Sequence, residues 1–254
     1  MSDVLLEAKE ISVHFGALKA VEKVSFQIEK GELIGFIGPN GAGKTTTINL
    51  ITGVYRKTNG QVLFQGNDIT SVTPNQVARM GIARTFQITK PLVGMSVEEN
   101  VMAGALFGTA GRGLSVKQAR QKAAECLEMT AMMDKRDFPV SKLTVPDRKR
   151  LELARSLATD PTLLLLDEVM AGLRPKEIDE ALELIKNINE KMKVTILFIE
   201  HVMRAVMSIS QRIIVLNIGQ KIAEGNPREI SENPQVIEAY LGRKYMERRS
   251  TDGE

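Results

Sequence analysis

This 254-residue chain has no tryptophan, three tyrosines, eight phenylalanines and a single cysteine. Each scarcity closes off a class of function. A surface this poor in rings offers no platform for stacking successive bases, so single-stranded nucleic acid is not an expected partner. One thiol, Cys126, cannot form an intramolecular disulfide and fits a reducing cytosol. Its helical neighbours make it a buried, inert thiol. No apolar run approaches the length of a membrane span; the longest, such as 163–166, are strand-sized. Residues 1–7 lack the basic start and apolar core of a signal peptide. Charge of one sign is lacking too. The net charge of +3 balances 34 basic against 31 acidic residues, which points to no polyanion. Hydrophobic content of 43% and charged content of 26% leave an ordinary globular chain, long enough for a sizeable core.

What the chain does contain is the run Gly38-Pro39-Asn40-Gly41-Ala42-Gly43-Lys44-Thr45. It fits G-x-x-x-x-G-K-[ST], the phosphate-cradling loop. An apolar strand, 32–37, leads into it, and a helix start through Ile51 leads out. A strand feeding a glycine loop feeding a helix aims several backbone N–H groups and a helix dipole at one anion. Lys44 then reaches the β- and γ-phosphates, and the Thr45 hydroxyl is placed to ligate Mg²⁺, with Thr46 beside it. A chance glycine turn would not carry both flanks. The chain is expected to bind a nucleoside triphosphate. It has no Asn-Lys-x-Asp stretch to read guanine.

Strands are expected over 5–14, 21–28 and 61–64, with a turn at Gly66-Asn67-Asp68. From about 96 to 158 the signal turns helical. Ser96-Val97-Glu98-Glu99 is a capping box, Gly104 to Gly113 reads as a loop, and helices follow over about 115–132 and 144–158. Strands then return over 163–166, 194–199 and 212–217, with a helix opened by Pro175 between the first two. Gly219-Gln220 and Ala223-Glu224-Gly225 suggest a closing hairpin. Strands alternating with helices around a helical insert imply an α/β fold with a parallel core and an inserted α-subdomain. One domain is expected over 1–242, its core over about 1–90 and 160–242, its helical part over about 91–159, and a polar tail over 243–254.

The strand over 163–166 ends in Asp167-Glu168. In a phosphate-loop fold the first carboxylate holds Mg²⁺, usually through water. The second orients or deprotonates the attacking water if it lies within hydrogen-bond reach. From about residue 4 to 242 the chain resembles the ATP-binding subunits of ABC transporters, a phosphate-loop NTPase (RecA-like) core with an antiparallel β-subdomain. The resemblance implies that Phe15 stacks on adenine. It makes Gln87, in Arg84-Thr85-Phe86-Gln87, a metal and catalytic contact that links the nucleotide to the helical subdomain. It makes His201, after the apolar stretch ending in Glu200, the sensor of the γ-phosphate. Phe15 as core and His201 as a structural strand end are the plainer readings of those two residues.

Two stretches depart from the family pattern. Where the signature usually reads Leu-Ser-Gly-Gly-Gln, this chain has Leu143-Thr144-Val145-Pro146-Asp147. In the family this segment meets the γ-phosphate held by the opposite subunit, so Thr144 is a candidate contact. Thr144-x-x-Asp147 is also a capping box in its own right, with proline in the first turn. Ala171-Gly172-Leu173-Arg174 stands where Ser-Ala-Leu-Asp is usual, and arginine is a poor residue to open the helix at Pro175. Met129, Met132 and Met133 either fill core gaps or offer an adaptable surface.

The resemblance implies an ATPase with ATP and Mg²⁺ as its ligands. It works as a dimer with a second ATP-binding subunit, itself or a homologue. It sits on the cytoplasmic face of a membrane against integral permease subunits, served indirectly by a solute-binding protein. Arg84-Thr85-Phe86-Gln87, the glycine-bearing insert and Asn233-Pro234-Gln235-Val236-Ile237-Glu238-Ala239-Tyr240-Leu241-Gly242 are most similar to the branched-chain amino-acid importer branch. The alternative is a nucleotide-binding regulatory or non-transport ATPase of the same family, to which the altered signature points.

Overall fold

The computed structural model describes residues 4–85, 90–108, 114–200 and 203–242. Gln87 and His201 fall outside them. The chain divides into two compact units, residues 1–73 with 197–254, and residues 74–196.

The first unit opens with β1 (Val4–Phe15) and β2 (Leu18–Glu29), then β3 (Leu33–Ile37), α1 (Lys44–Ile51), β4 (Asn59–Phe64) and the two-residue β5 (Asn67–Asp68). Alternation builds its antiparallel sheet, in the order β2-β1-β4-β5. Val24, Phe26 and Ile28 of β2 are buried every second residue, and Phe26 pairs across to Ala8. β3 is different. All five of its residues are buried, the mark of a strand covered on both faces.

The second unit holds α2 (Pro74–Arg79), β6 (Ile82–Arg84), α3 (Val97–Phe107), α4 (Val116–Met129), α5 (Val145–Ala158), β7 (Leu163–Asp167) and α6 (Pro175–Met192). β6 and β7 run parallel, with Ile82 opposite Leu163 and Arg84 opposite Leu165. α3 packs on both α4 and α5. The division between the units falls inside β8 (Thr195–Ile199). The chain returns to the first unit with α7 (Met203–Ile209), β9 (Arg212–Asn217), β10 (Gln220–Gly225), α8 (Pro227–Glu232) and α9 (Pro234–Leu241). There β3 lies parallel to β9, and β10 closes a hairpin on β9.

Three sequence expectations need adjusting. Gly104 does not start a loop: α3 runs through it to Phe107. Glycine is present there because a Cβ would lie 2.3 Å from the Arg155 carbonyl oxygen, so α5 passes too close for any side chain. α4 stops at Met129 rather than Met132, where Thr130 turns its hydroxyl onto the Cys126 carbonyl and Ala131 takes a left-handed φ of 52°. The methionines divide, Met132 fully buried and Met133 at the surface. Cys126 is buried, and burial pushes its thiol up to about 11.

Candidate active site

The phosphate loop hangs between β3 and α1 and is braced from beneath. Gly219, in the β9–β10 turn, donates its N–H to the Ala42 carbonyl at 3.0 Å. Gly43 opens α1 with a φ of 99°, and a Cβ on it would lie 2.7 Å from the Ala20 oxygen. Only glycine combines that backbone conformation with that approach. No acidic residue enters the first turn of α1, so the helix end keeps its positive field. Lys44 is buried and curls over its own loop, donating to Gly38 O at 2.7 Å and Pro39 O at 3.0 Å. Thr45 and Asn40 are exposed, while Thr46 is half-buried. Phe15, at the end of β1, is 48% exposed and meets Tyr55 edge-on, with ring centroids 5.4 Å apart. That exposure removes the core reading and leaves a ring offered at the surface.

Asp167 closes β7 and Glu168 follows it, both buried. Asp167 is gripped from the neighbouring strand. Its backbone N–H donates to Thr85 Oγ1 at 3.2 Å, and Arg84 Nη2 donates to its Oδ2 at 2.7 Å. Its other oxygen, Oδ1, is buried and has no hydrogen-bond partner among the described residues. An oxygen so placed suits the water shell of a cation. Glu168 takes a φ of 52°, a left-handed conformation that costs a non-glycine residue free energy and recurs at functional positions. Lys149 of α5 donates to the Glu168 carbonyl oxygen at 3.3 Å. The sequence reading gave Arg84, Thr85 and Lys149 no catalytic or binding role. The only hint was that Arg84 and Thr85 stand just ahead of Gln87.

Thr144 caps α5, and its polar groups are spent on that helix. Its hydroxyl donates to Asp147 Oδ2 at 2.7 Å, and its N–H reaches the same oxygen at 3.3 Å. The Asp147 N–H returns a bond to Thr144 Oγ1 at 3.4 Å. Pro146 contributes no N–H. Lys135 pairs with Asp147 Oδ1 at 2.5 Å. Burial works to raise the Asp147 carboxyl, but the bonds from Lys135 and Thr144 outweigh it and hold the group below its ordinary range. A cleft of about 600 Å³ opens beside this end, lined by Lys135, Thr144, Asp147, Arg150, Arg174 and Glu177. Arg174 gives α6 no side-chain cap. Instead Glu177 accepts from its N–H at 2.8 Å and from its guanidinium at 2.6 Å, so the first turn of α6 is closed from within.

A family model described as ABC transporter matches residues 21–171, and one for the branched-chain amino acid ATP-binding cassette transporter matches residues 220–245. The chain is 40% identical to the high-affinity branched-chain amino acid transport ATP-binding protein LivG of Salmonella typhimurium, over 95% of this chain and 99% of that one. Among solved structures it is similar to the ADP conformation of an ATP-binding cassette of an ABC transporter. The TM-score is 0.83 at 32% identity, covering 94% of this chain and 99% of that one. A dimeric cassette in a post-hydrolysis state, bound to ADP and Pi, gives a TM-score of 0.78 at 25% identity, covering 88% and 99%. Likeness that extends along nearly the full length of chain and relative means that this chain belongs to the ABC transporter family, as one of its ATP-hydrolysing cassettes.

Proposed function

We propose that the chain hydrolyses ATP to drive uptake of branched-chain amino acids, as one of two ATP-binding subunits docked on separate permease subunits at the cytoplasmic face of a membrane. The match of residues 220–245 to the branched-chain model carries the solute class, because that segment lies outside the general cassette match. Among the described residues no helix is long and apolar enough to cross a membrane. Lys44 and the N–H groups at the start of α1 bind the phosphates, and Phe15 takes the adenine face. Glu168 orients the attacking water, and the resemblance adds His201 at the γ-phosphate. Thr45, Gln87 and Asp167 would hold Mg²⁺, which when bound neutralises charge between the β- and γ-phosphates. Each residue's own surroundings suit its part: Oδ1 of Asp167 has no hydrogen-bond partner among the described residues, and Thr45 is exposed.

Uptake of labelled leucine tests the solute. Cells lacking the chain should lose leucine uptake and regain it from the intact gene but not from Glu168→Gln. Unchanged leucine uptake in the deleted cells would sink the assignment.

One observation favours the second reading, a cassette with a regulatory role. The α5 N-terminus is occupied by its own carboxylate, where an outside phosphate would need open N–H groups. Sedimentation of Glu168→Gln with and without ATP separates the readings. An ATP-dependent dimer supports the motor. A monomer that binds ATP supports the regulatory reading, or a motor that closes only on a different subunit.

A further inference from the structure

We propose that Arg84 is a positioning residue for Asp167: its guanidinium pins one carboxylate oxygen so that the other is held ready for the magnesium shell. The inference rests on the reading of Asp167 given above.

The geometry comes from strand pairing. Arg84 is the last residue of β6 and sits opposite Leu165, two residues before Asp167 on the parallel strand β7. Thr85, next in the chain, donates its N–H to Leu165 O at 3.0 Å and accepts the Asp167 N–H at 3.2 Å. The backbone of Asp167 is therefore fixed before its side chain is considered. A carboxylate on a fixed backbone still turns broadly about its last torsion. The Arg84 bond to Oδ2, 2.7 Å long, removes that freedom and leaves Oδ1 buried and without a hydrogen bond among the described residues. The side chains of the pair are only 10% and 2% exposed, so solvent does little to weaken the contact.

Arginine suits this task because it stays charged and its donors lie in a rigid plane. A cation beside the carboxylate repels a metal ion, so what Arg84 contributes is the orientation of the group rather than charge. Arg84 also spends itself on Oδ2, the oxygen turned away from the task.

The test reads nucleotide binding rather than turnover. A fluorescent non-hydrolysable ATP analogue is titrated into the full chain with and without Mg²⁺, for the unmutated protein, Arg84→Lys and Arg84→Gln. The proposal expects all three to bind the Mg²⁺-free analogue alike. It expects the Mg²⁺ needed for tight binding to rise several-fold in Arg84→Lys, which keeps charge without the rigid fork. In Arg84→Gln the rise should be about tenfold or more, the usual cost of losing a partner behind a metal ligand. An unchanged or lowered Mg²⁺ requirement in Arg84→Gln overturns the proposal while leaving Asp167 as ligand. Should Arg84→Gln not fold, an unchanged requirement in Arg84→Lys overturns it alone. Binding by the unmutated protein that ignores Mg²⁺ would remove the Asp167 reading and this proposal with it.

Discussion

At the scale of single residues, two buried carboxylates, Asp147 and Asp167, each meet a cation. Asp147 is the clearest case, clamped by Lys135 and by both polar groups of Thr144. Its carboxyl titrates below the ordinary range, with the opposing effect of burial outweighed by those bonds. A depressed folded-state value means that the unfolded chain takes up the proton first as pH falls. The stabilisation is thus fully present above the ordinary aspartate value of about 3.9 and is lost as pH drops through the lower folded value. Asp147→Asn should therefore be less stable than the unmutated chain near neutral pH and draw level with it in acid. Urea melts at both ends of that range check the convergence, and a gap that persists in acid would assign the loss to packing instead. The same residue shows how far sequence reaches. Thr144-x-x-Asp147 was legible as a capping box because its partners are three positions apart. Lys135 was not, because it meets Asp147 only after the intervening chain has turned. Arg84 and Asp167 lie 83 positions apart, and no local pattern announces such a pair. The phosphate-loop motif could be read as a pattern because it is contained in eight consecutive residues.

At the scale of elements, strands buried on both faces and capped helices were the readable ones. Leu163 to Leu166 could be little else, and Ser96 and Glu99 form both halves of their box at the start of α3. β6 went unseen because its three residues carry no period and exist through their pairing with β7. The glycine of α3 misled for a physical reason: a helix breaker by propensity is also the residue that lets two helices touch. These two roles predict opposite signs. Propensity alone says that Gly104→Ala should stabilise α3 by up to about 1 kcal/mol. The 2.3 Å approach of its Cβ to the backbone oxygen of Arg155 says otherwise, because that atom belongs to a helix and cannot step aside. Overpacking of this kind costs about 1–3 kcal/mol, so the variant should be less stable on balance. A lowered urea midpoint at unchanged slope would confirm the contact. A raised midpoint would mean that α3 and α5 part easily.

At the scale of the whole molecule, nucleotide binding and stability are one linked quantity. A ligand that binds only the folded chain stabilises it by about 2.7 kcal/mol at a hundred times its dissociation constant. For a chain of this size that is a rise of about 5–10 °C in melting temperature. Lys44 divides the two parts of the effect. In the free protein its ammonium satisfies the carbonyls of Gly38 and Pro39, so Lys44→Ala should melt somewhat lower even without nucleotide. The informative number is the shift produced by ATP. It should be nearly abolished in Lys44→Ala, which loses the charge proposed to reach the phosphates. It should survive in Glu168→Gln, since the role proposed for that carboxylate is on water rather than in binding. Differential scanning fluorimetry with saturating ATP on the three proteins makes the comparison, with Mg²⁺ held constant. Equal shifts in all three would mean that the loop between β3 and α1 is not where ATP is held. A shift lost in both variants would place Glu168 among the binding residues and take away its role as the group that orients water.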